Sequence, residues 1–305
     1  LFRGLALEKL EKDWIEYPVL HLDLNGISYN SEDVLDQVLN AKLSAWETEF
    51  GICAKSTIPG LRFQNIIDAA YSYTGHQVVI LIDEYDKPIV DNLGNTKLTD
   101  YYRKTLQGFY SVLKAKDGQI RFGFLTGVSR FSHLNIFSAV NNLKDISFSE
   151  KYVSICGITR SEMLSNFDED IEAMAVKNDL TKEATIARLE EMYDGYHFAP
   201  DTEGIFNPFT LITALNKRKF LQCWSDSGTP SFLIKMVESG TLDLIHLQHL
   251  DTDLEIISES DPTLQTPEAL LYQTGYLTIK SANEYGVYTL GFPNREVKSS
   301  FLTFL

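Results

Sequence analysis

The sequence predicts an α/β fold, in which a parallel sheet flanked by helices is followed by a helical region and a winged-helix-like end. Three observations predict it. Short apolar runs alternate with helical patterns from Pro18 to Val128, which is typical of a parallel sheet. Helical patterns broken by turns then extend from Thr159 to about Leu250. From Pro267, one helical pattern precedes two short strand patterns, as in a winged-helix end.

Three apolar runs are the expected strands. Pro18 to Leu24 stops at Asn25-Gly26, as a strand entering a turn does. Gln77 to Ile82 and Ile120 to Val128 are the other two, and both are rich in β-branched or aromatic residues. A buried helix end is the alternative for the first run, but its proline and valine disfavour that interpretation.

Amphipathic helices are expected between these strands. Ser31 to Phe50 repeats apolar residues at helical spacing, with Ser31 as the N-cap. Arg62 to Tyr73 and Thr99 to Leu113 show helical patterns as well. Since the strands alternate with helices and are apolar throughout, we expect the sheet to be covered on both faces.

The second part of the chain contains helix-start signals. Thr159 and Glu162 have the spacing of a capping box, and Asp194-Gly195 reads as a turn. Asn207 is expected to cap a helix that has Pro208 at its first position. The aromatic run Tyr193–Phe198 is expected to pack helices together, although its histidine is also a candidate for contacting a nucleotide.

The tail is expected to contain one helix and a two-stranded ribbon. The helix is Pro267 to Thr274, and the strands are Gly275 to Lys280 and Val287 to Leu290. These patterns suggest three domains. They are an α/β core over residues 1–158, a helical lid over 159–262 and a winged-helix-like region over 263–305.

Composition disfavours several classes of protein. The 305 residues carry a net charge of −15, which disfavours broad nucleic-acid binding. No apolar stretch reaches the roughly 18 residues that span a bilayer, so we expect a cytoplasmic protein with no membrane association. The three cysteines are far apart and the histidines lack ligand spacing, so no disulfide framework or structural metal is expected.

The run ending in Asp83-Glu84 is typical of a Walker B strand. Ligands of open α/β sheets bind beyond the carboxyl ends of the strands. In nucleotide hydrolases the first such carboxylate holds Mg²⁺ and the second orients or deprotonates the attacking water. Asp83 fits the first role and Glu84 the second. The alternative is a surface strand that simply ends in acids.

The next strand brings further candidates to the same edge. Thr126 follows its apolar run and is the expected sensor beside the terminal phosphate. Ser129 is a candidate nucleotide contact, and Arg130 could stabilise charge on a transferring phosphoryl group. A structural ion pair between Arg130 and a neighbouring acid is the equal alternative. Asp86 and Lys87 are expected to lie in an exposed turn.

The phosphate-binding loop G-x-x-x-x-G-K-[ST] does not occur in these 305 residues. The nearest imitation, Gly51–Thr57, lacks the second glycine and follows a helix, so we read it as an ordinary loop. One explanation is that the Walker A loop precedes Leu1 in a longer chain, since the sequence does not begin with methionine. The other is that the protein is a non-hydrolysing scaffold.

Several segments in fixed order resemble one known family. They are Val79–Ile89, Leu125–Ser132, Phe137–Leu143, Tyr193–Phe198, Asn207–Phe209 and Trp224–Pro230. The chain resembles the AAA-ATPase-like family of bacterial proteins, which is related to archaeal-type and STAND ATPases and is often fused to a PD-(D/E)XK nuclease-like domain.

The resemblance implies a P-loop NTPase fold, with ATP and Mg²⁺ as ligands once a Walker A segment upstream of Leu1 is present. It places the Walker B carboxylates on Asp83 and Glu84, and the strand-end motif on Thr126 to Arg130. A proline-containing turn of the lid approaches the adenine in related ATPases, which makes Pro208 a candidate contact.

Two functions are carried forward. The first is an ATPase core that drives an attached effector domain and is inactive as these 305 residues alone. The second is a regulatory scaffold that contacts protein or DNA, with protein favoured by the acidic charge. A nuclease function would rest on family architecture alone.

Overall fold

The computed structural model describes residues 2–53, 55–92, 94–128, 142–224, 250–257 and 266–303. The described residues up to Gly127, together with Asn142 and Leu143, form one compact unit. Val128 and the described residues from Lys144 onward form a second unit. The finer division into a core, a lid and a winged-helix-like region stays a prediction.

The first unit is α/β. Its strands are β1 (Val19–Asp23), β2 (Val78–Asp83) and β3 (Ile120–Leu125). Its helices are α1 (Ala6–Leu10), α2 (Glu32–Glu49), α3 (Pro59–Thr74), α4 (Lys87–Val90), α5 (Thr96–Tyr110) and α6 (Val112–Ala115), and a 3-10 turn at Asp117–Gln119 precedes β3. Every strand and helix predicted in this region is present, with ends shifted by a few residues.

The three strands form a parallel sheet in the order β1-β2-β3. Alternate side chains on one face, such as Leu22 and Ile80, are buried by the flanking helices. On the opposite face, Val19 is 47% exposed and Phe122 is 53% exposed. Cover on this second face is therefore less complete than the sequence predicts.

Helices α2, α3 and α5 pack against one another through aromatic side chains. The ring of Phe63 on α3 stacks on Trp46 of α2 and on Phe109 of α5. Beside this stack, the Arg62 guanidinium donates two hydrogen bonds to the buried Glu47 carboxylate, at 2.8 and 2.6 Å. Ser31 occupies the predicted N-cap position of α2. Its hydroxyl, however, donates to Asp33 at 2.6 Å and does not cap the helix.

The second unit begins with short elements around a helical cluster. They are a 3-10 turn (Glu150–Tyr152), β4 (Ile158–Thr159), α7 (Arg160–Asn166), α8 (Asp168–Lys177), α9 (Lys182–Tyr193), β5 (Ile205–Phe206) and α10 (Pro208–Lys217). Strands β4 and β5 pair in antiparallel fashion. The predicted helices are confirmed between Arg160 and Lys217, whereas the small β4-β5 sheet was not predicted. Residues 225–249 of the predicted helical region lie outside the described residues.

The predicted helix starts are confirmed. The Thr159 hydroxyl accepts a hydrogen bond from the Glu162 amide while the Glu162 carboxylate accepts one from the Thr159 amide, which is a complete capping box. The Asn207 side chain accepts hydrogen bonds from the amides of Phe209 and Thr210, with Pro208 at the first position of α10. Both contacts satisfy amides that have no partner within the helix.

The aromatic run between α9 and β5 is a packing element, as predicted. Tyr193 is fully buried among the helices, and its hydroxyl donates to the carbonyl of Leu221. Tyr196 is 9% exposed and belongs to the core below the C-terminal sheet. Nδ1 of His197 lies 2.9 Å from the carbonyl oxygen of Thr202, within the same unit.

The C-terminal part contains one more strand than predicted. Its elements are β6 (Leu250–Asp253), α11 (Leu254–Ile257), α12 (Pro267–Gln273), β7 (Thr278–Ala282), β8 (Val287–Gly291) and α13 (Arg295–Thr303). The ribbon β7-β8 was expected, but β6 pairs with the other side of β8 to give the antiparallel order β6-β8-β7. Assignment of this region as a winged helix stays a prediction.

None of the helices in the described ranges combines the length and the apolar character needed to cross a bilayer.

Candidate active site

The carboxyl end of β2 carries both predicted acids. Asp83 is the last residue of the strand, and Glu84 follows with a φ of 54°. That left-handed backbone is uncommon outside glycine and costs on the order of 1 kcal/mol. The Asp83 carboxylate accepts a hydrogen bond from the Glu84 amide at 3.1 Å, and the Glu84 carbonyl accepts one from the Lys87 amide at 3.0 Å. The chain therefore turns sharply at the point where the two carboxylates emerge.

The structure brings Thr126 to this turn. Its hydroxyl donates a hydrogen bond to Oδ1 of Asp83. Two backbone hydrogen bonds support the contact, from the Thr126 amide to the Ile82 carbonyl at 2.9 Å and from the Tyr85 amide to the Thr126 carbonyl at 3.0 Å. The predicted juxtaposition of Asp83 and Thr126 follows from the parallel pairing of β2 and β3.

Asp23, which the sequence pattern did not identify as a site residue, also lies at this edge. It ends β1 and is the register partner of Asp83 across the parallel pair. The edge therefore presents two neighbouring strand-end carboxylates. In the sequence Asp23 lies within the run Pro18–Leu24, whereas Asp83 directly follows the run Gln77–Ile82, so the pattern did not mark Asp23 as a strand end.

Several carboxylates lie close together at the carboxyl end of β2. Burial raises the pKa of Glu84, and the negative charges of Asp86 and Asp83 raise it further. Lys87 acts in the opposite direction, while Asp23 adds a smaller upward contribution. An excess of carboxylates at one place favours a bound cation, because a cation offsets their mutual repulsion.

Asp86 does not lie in an exposed turn, contrary to the sequence-based expectation. It is fully buried at 0% exposure. The reason is local, since the turn that starts at Glu84 directs the chain inward, and α4 then begins at Lys87. Lys87 itself is only partly exposed and forms an ion pair with Asp91 at 3.1 Å.

The donor set fits a magnesium ion of the kind found in nucleotide sites. Mg²⁺ is commonly held by one or two carboxylates, with water and substrate phosphates completing its shell. Asp83 is exposed, with Asp23 beside it. The described part of the chain contains no group of three or more acidic, histidine or cysteine side chains arranged to hold a metal. A cation here would therefore need oxygen ligands from phosphate and water.

Three predicted site residues, Ser129, Arg130 and Pro208, stay untested. Ser129 and Arg130 lie outside the described residues, so their roles stay predictions. Pro208 belongs to the second unit, where it starts α10, and its contact with adenine also stays a prediction.

The described residues of Gly51–Thr57, the segment most similar to a phosphate-binding loop, do not lie at the carboxyl end of the sheet. Gly51–Thr57 follows α2, as expected of an ordinary loop. Phe50, directly before it, lines a cavity with Pro18 and His76, which precede β1 and β2. The loop is therefore near the amino ends of the strands, whereas Asp83 is at the carboxyl end.

Comparison with known proteins agrees with this geometry. Residues 1–137 match the model of the AAA-ATPase-like family, described as "Predicted AAA-ATPase". The matched part of the chain is AAA-ATPase-like. This match contains β1 to β3 and therefore Asp23, Asp83, Glu84 and Thr126. The family resemblance drawn from the sequence motifs is confirmed over residues 1–137. The motifs from Tyr193 onward lie beyond the matched residues.

A relative in Azotobacter chroococcum mcd 1, named as an uncharacterized protein in the vnfD 5' region, is 33% identical over 304 residues. That similarity covers 98% of this chain and 56% of the relative. The chain thus spans little more than half of the relative's length. No solved structure matches the chain significantly.

Proposed function

We propose that this chain carries the hydrolytic carboxylates of an AAA-like ATPase. The observation that supports it best is the contact between Asp83 and Thr126 at the carboxyl ends of two adjacent parallel strands. Ligands of open α/β sheets bind outside that edge. The family match over the same residues supports ATP as the nucleotide.

Each residue at the edge has a distinct role in this proposal. The Asp83 carboxylate would hold Mg²⁺, which would supply positive charge to neutralise the terminal phosphates. The Glu84 carboxylate orients the attacking water and accepts its proton. The Thr126 hydroxyl fixes the rotamer of Asp83 and reports the state of the terminal phosphate.

Other contacts come from parts of the protein beyond this cluster. We assign nucleotide contacts to Ser129 and Pro208, and stabilisation of the transferring phosphoryl group to Arg130. The phosphates also need a Walker A loop, which the 305 residues lack. ATP and Mg²⁺ binding is therefore proposed for a longer chain that supplies this loop upstream.

The remaining regions would convert nucleotide state into motion. In this proposal residues 159–262 act as a helical lid and residues 263–305 as a winged-helix-like region, and both respond to ATP binding. The recipient is an attached effector domain or a protein partner, because the net charge of −15 disfavours nucleic acid.

The proposal is tested on the full-length protein by calorimetry with ATP, with and without Mg²⁺. We expect Mg²⁺ to strengthen ATP binding in the wild type and to do so much less in Asp83→Asn. Asp100→Asn is the matched control, since Asp100 is a partly exposed residue on α5 that pairs with Arg103. Failure of the wild type to bind ATP would refute the proposal and favour a non-hydrolysing scaffold.

A further inference from the structure

Asp86 is a buried acid at a helix N-cap, but its side chain does not cap the helix. It directly precedes α4, where an aspartate commonly caps the helix with its carboxylate. Here the side chain makes no capping hydrogen bond. Only its backbone carbonyl serves the helix, accepting hydrogen bonds from the amides of Ile89 at 2.9 Å and Val90 at 3.0 Å. The carboxylate is therefore directed elsewhere.

The carboxylate of Asp86 lies against the backbone of Gly127, the residue after Thr126. A Cβ atom added to Gly127 would collide with Oδ1 and Cγ of Asp86 and would lie 2.8 Å from Cε1 of Tyr85. A side chain at position 127 would therefore have to displace the turn. This close approach joins the end of β3 to the turn that follows β2.

Hydrogen bonds connect the same two segments. The Tyr85 amide donates to the Thr126 carbonyl at 3.0 Å, so Thr126 and Gly127 run directly beside Tyr85 and Asp86. The Tyr85 carbonyl accepts a hydrogen bond from the hydroxyl of Tyr110 at 3.1 Å, and Tyr110 is fully buried on α5. The turn is thus held from the β3 side and from the core.

Glu84 depends on this arrangement. Its left-handed backbone, with a φ of 54°, persists only if surrounding contacts hold it. Its amide donates to the Asp83 carboxylate and its carbonyl accepts from the Lys87 amide, and the Tyr85-Asp86 segment lies between these two hydrogen-bonding partners in the chain. Displacing Asp86 would therefore let Glu84 relax and change the position of its carboxylate relative to Asp83.

We propose that Asp86 is a positioning residue, whose buried carboxylate packs beneath Gly127 and fixes the turn that presents Glu84 at the site. The inference rests on the proposed ATPase function and deepens it. Asp86 does not touch the nucleotide in this account. It acts through Glu84, and Gly127 is the matching element that makes room for it.

The test measures steady-state ATP hydrolysis by the full-length protein. We expect Asp86→Ala to lower kcat by about 10- to 100-fold and to leave KM within about threefold, because misplacing a catalytic group slows the chemical step without removing substrate contacts. Asp86→Asn, which keeps the shape of the side chain, should retain more of kcat than Asp86→Ala. Asp100→Asn serves as the control for losing a carboxylate from the first unit.

Gly127→Ala provides an independent variant. It should lower kcat as Asp86→Ala does, because its added Cβ pushes on the Asp86 carboxylate and on the ring of Tyr85. The double variant should be no slower than the more impaired single variant, since both changes disturb the same packing of Gly127 against the Tyr85-Asp86 segment. The inference would be overturned if the kcat reductions of the two single variants multiplied in the double variant. It would also be overturned by a kcat for Asp86→Ala within about twofold of the wild type.

Hydrogen exchange separates this inference from the proposed function. We expect the Tyr85 amide to exchange faster in Asp86→Ala, while amides within α2 keep their wild-type rates. Unchanged exchange at Tyr85 would overturn the positioning role whether or not the protein hydrolyses ATP. If the wild type does not hydrolyse ATP but the Tyr85 amide exchanges faster in Asp86→Ala, the ATPase function is refuted. Asp86 would then stabilise the turn without a role in catalysis.

Discussion

The hydroxyl of Thr126 donates a hydrogen bond to the carboxylate of Asp83, and the two residues end neighbouring parallel strands. Their separation in the sequence is large, but parallel pairing places both at one edge. The contact fixes the orientation of Asp83 before any ligand arrives. Such preorganisation is what a site that acts on charged phosphates requires.

Removing the Thr126 hydroxyl should therefore impair turnover. We expect Thr126→Val to lower kcat by about 10- to 100-fold, which corresponds to the loss of one hydrogen bond to a charged group. Thr126→Ser keeps the hydroxyl and should stay close to the wild type. Steady-state ATP hydrolysis by the full-length protein measures both. Equal rates for the valine and serine variants would contradict a role for the hydroxyl.

The pair Arg62–Glu47 should be a major contributor to the stability of the first unit. Both side chains are buried, and they lie 2.6 Å apart. Arg62→Met leaves a buried carboxylate without its partner, so we expect a loss of about 3–5 kcal/mol in the free energy of unfolding. Denaturant titration measures it.

The matched control for that pair is Lys97→Ala. Lys97 pairs with Glu32 at 2.9 Å, but its side chain is 87% exposed. We expect a change of about 1 kcal/mol or less, because solvent screens exposed ion pairs. Similar losses for Arg62→Met and Lys97→Ala would contradict the importance of burial.

The cap of α10 should matter in the second unit. Asn207→Ala removes the acceptor for the amides of Phe209 and Thr210, so we expect a loss of about 1 kcal/mol. Asn207→Asp keeps an acceptor and should restore most of that stability. Thermal unfolding followed by circular dichroism compares the three proteins. An alanine variant as stable as the wild type would show that the cap contributes nothing.

Asp194 should make the second unit less stable as the pH rises. Burial raises its pKa above the ordinary aspartate value, although its hydrogen bond from the Gly195 amide and the nearby His197 act in the opposite direction. Since the folded state binds the proton more tightly than the unfolded state, this contribution to stability is complete below the ordinary aspartate pKa. It is lost as the pH rises through the raised value.

Asp194→Asn resembles the protonated form at every pH. Its advantage in unfolding free energy over the wild type should grow from acid pH toward neutral pH. Urea titrations of both proteins at a series of pH values measure this difference. A difference that does not change with pH would contradict a raised pKa for Asp194.

The sequence predicts the first unit well because its signals are local. The apolar run that becomes β2 and the helical spacing of α2 each identify an element without reference to distant residues. Pairing is a non-local property, which is why Asp23 was not assigned to the site despite ending a strand. The burial of Asp86 was missed for a related reason, since it depends on the left-handed backbone at Glu84, a rare conformation for that residue type.

The second unit shows the same limit. The capping box at Thr159 is a local motif and was predicted correctly. Strand β6 has the sequence Leu-Asp-Thr-Asp, which is too polar and too short to indicate a strand by itself. It becomes one because β8 offers an unpaired edge, so pairing with a distant segment determines its structure.

The most direct test of the account is a comparison of ATP binding and single-turnover hydrolysis between full-length wild type and Glu84→Gln. Glutamine keeps the shape of the side chain but cannot accept a proton from water. We predict that Glu84→Gln binds ATP with unchanged affinity and hydrolyses it about 10²- to 10⁴-fold more slowly than the wild type. Equal hydrolysis rates in the two proteins would contradict the assignment of Glu84 as the catalytic base at the end of β2.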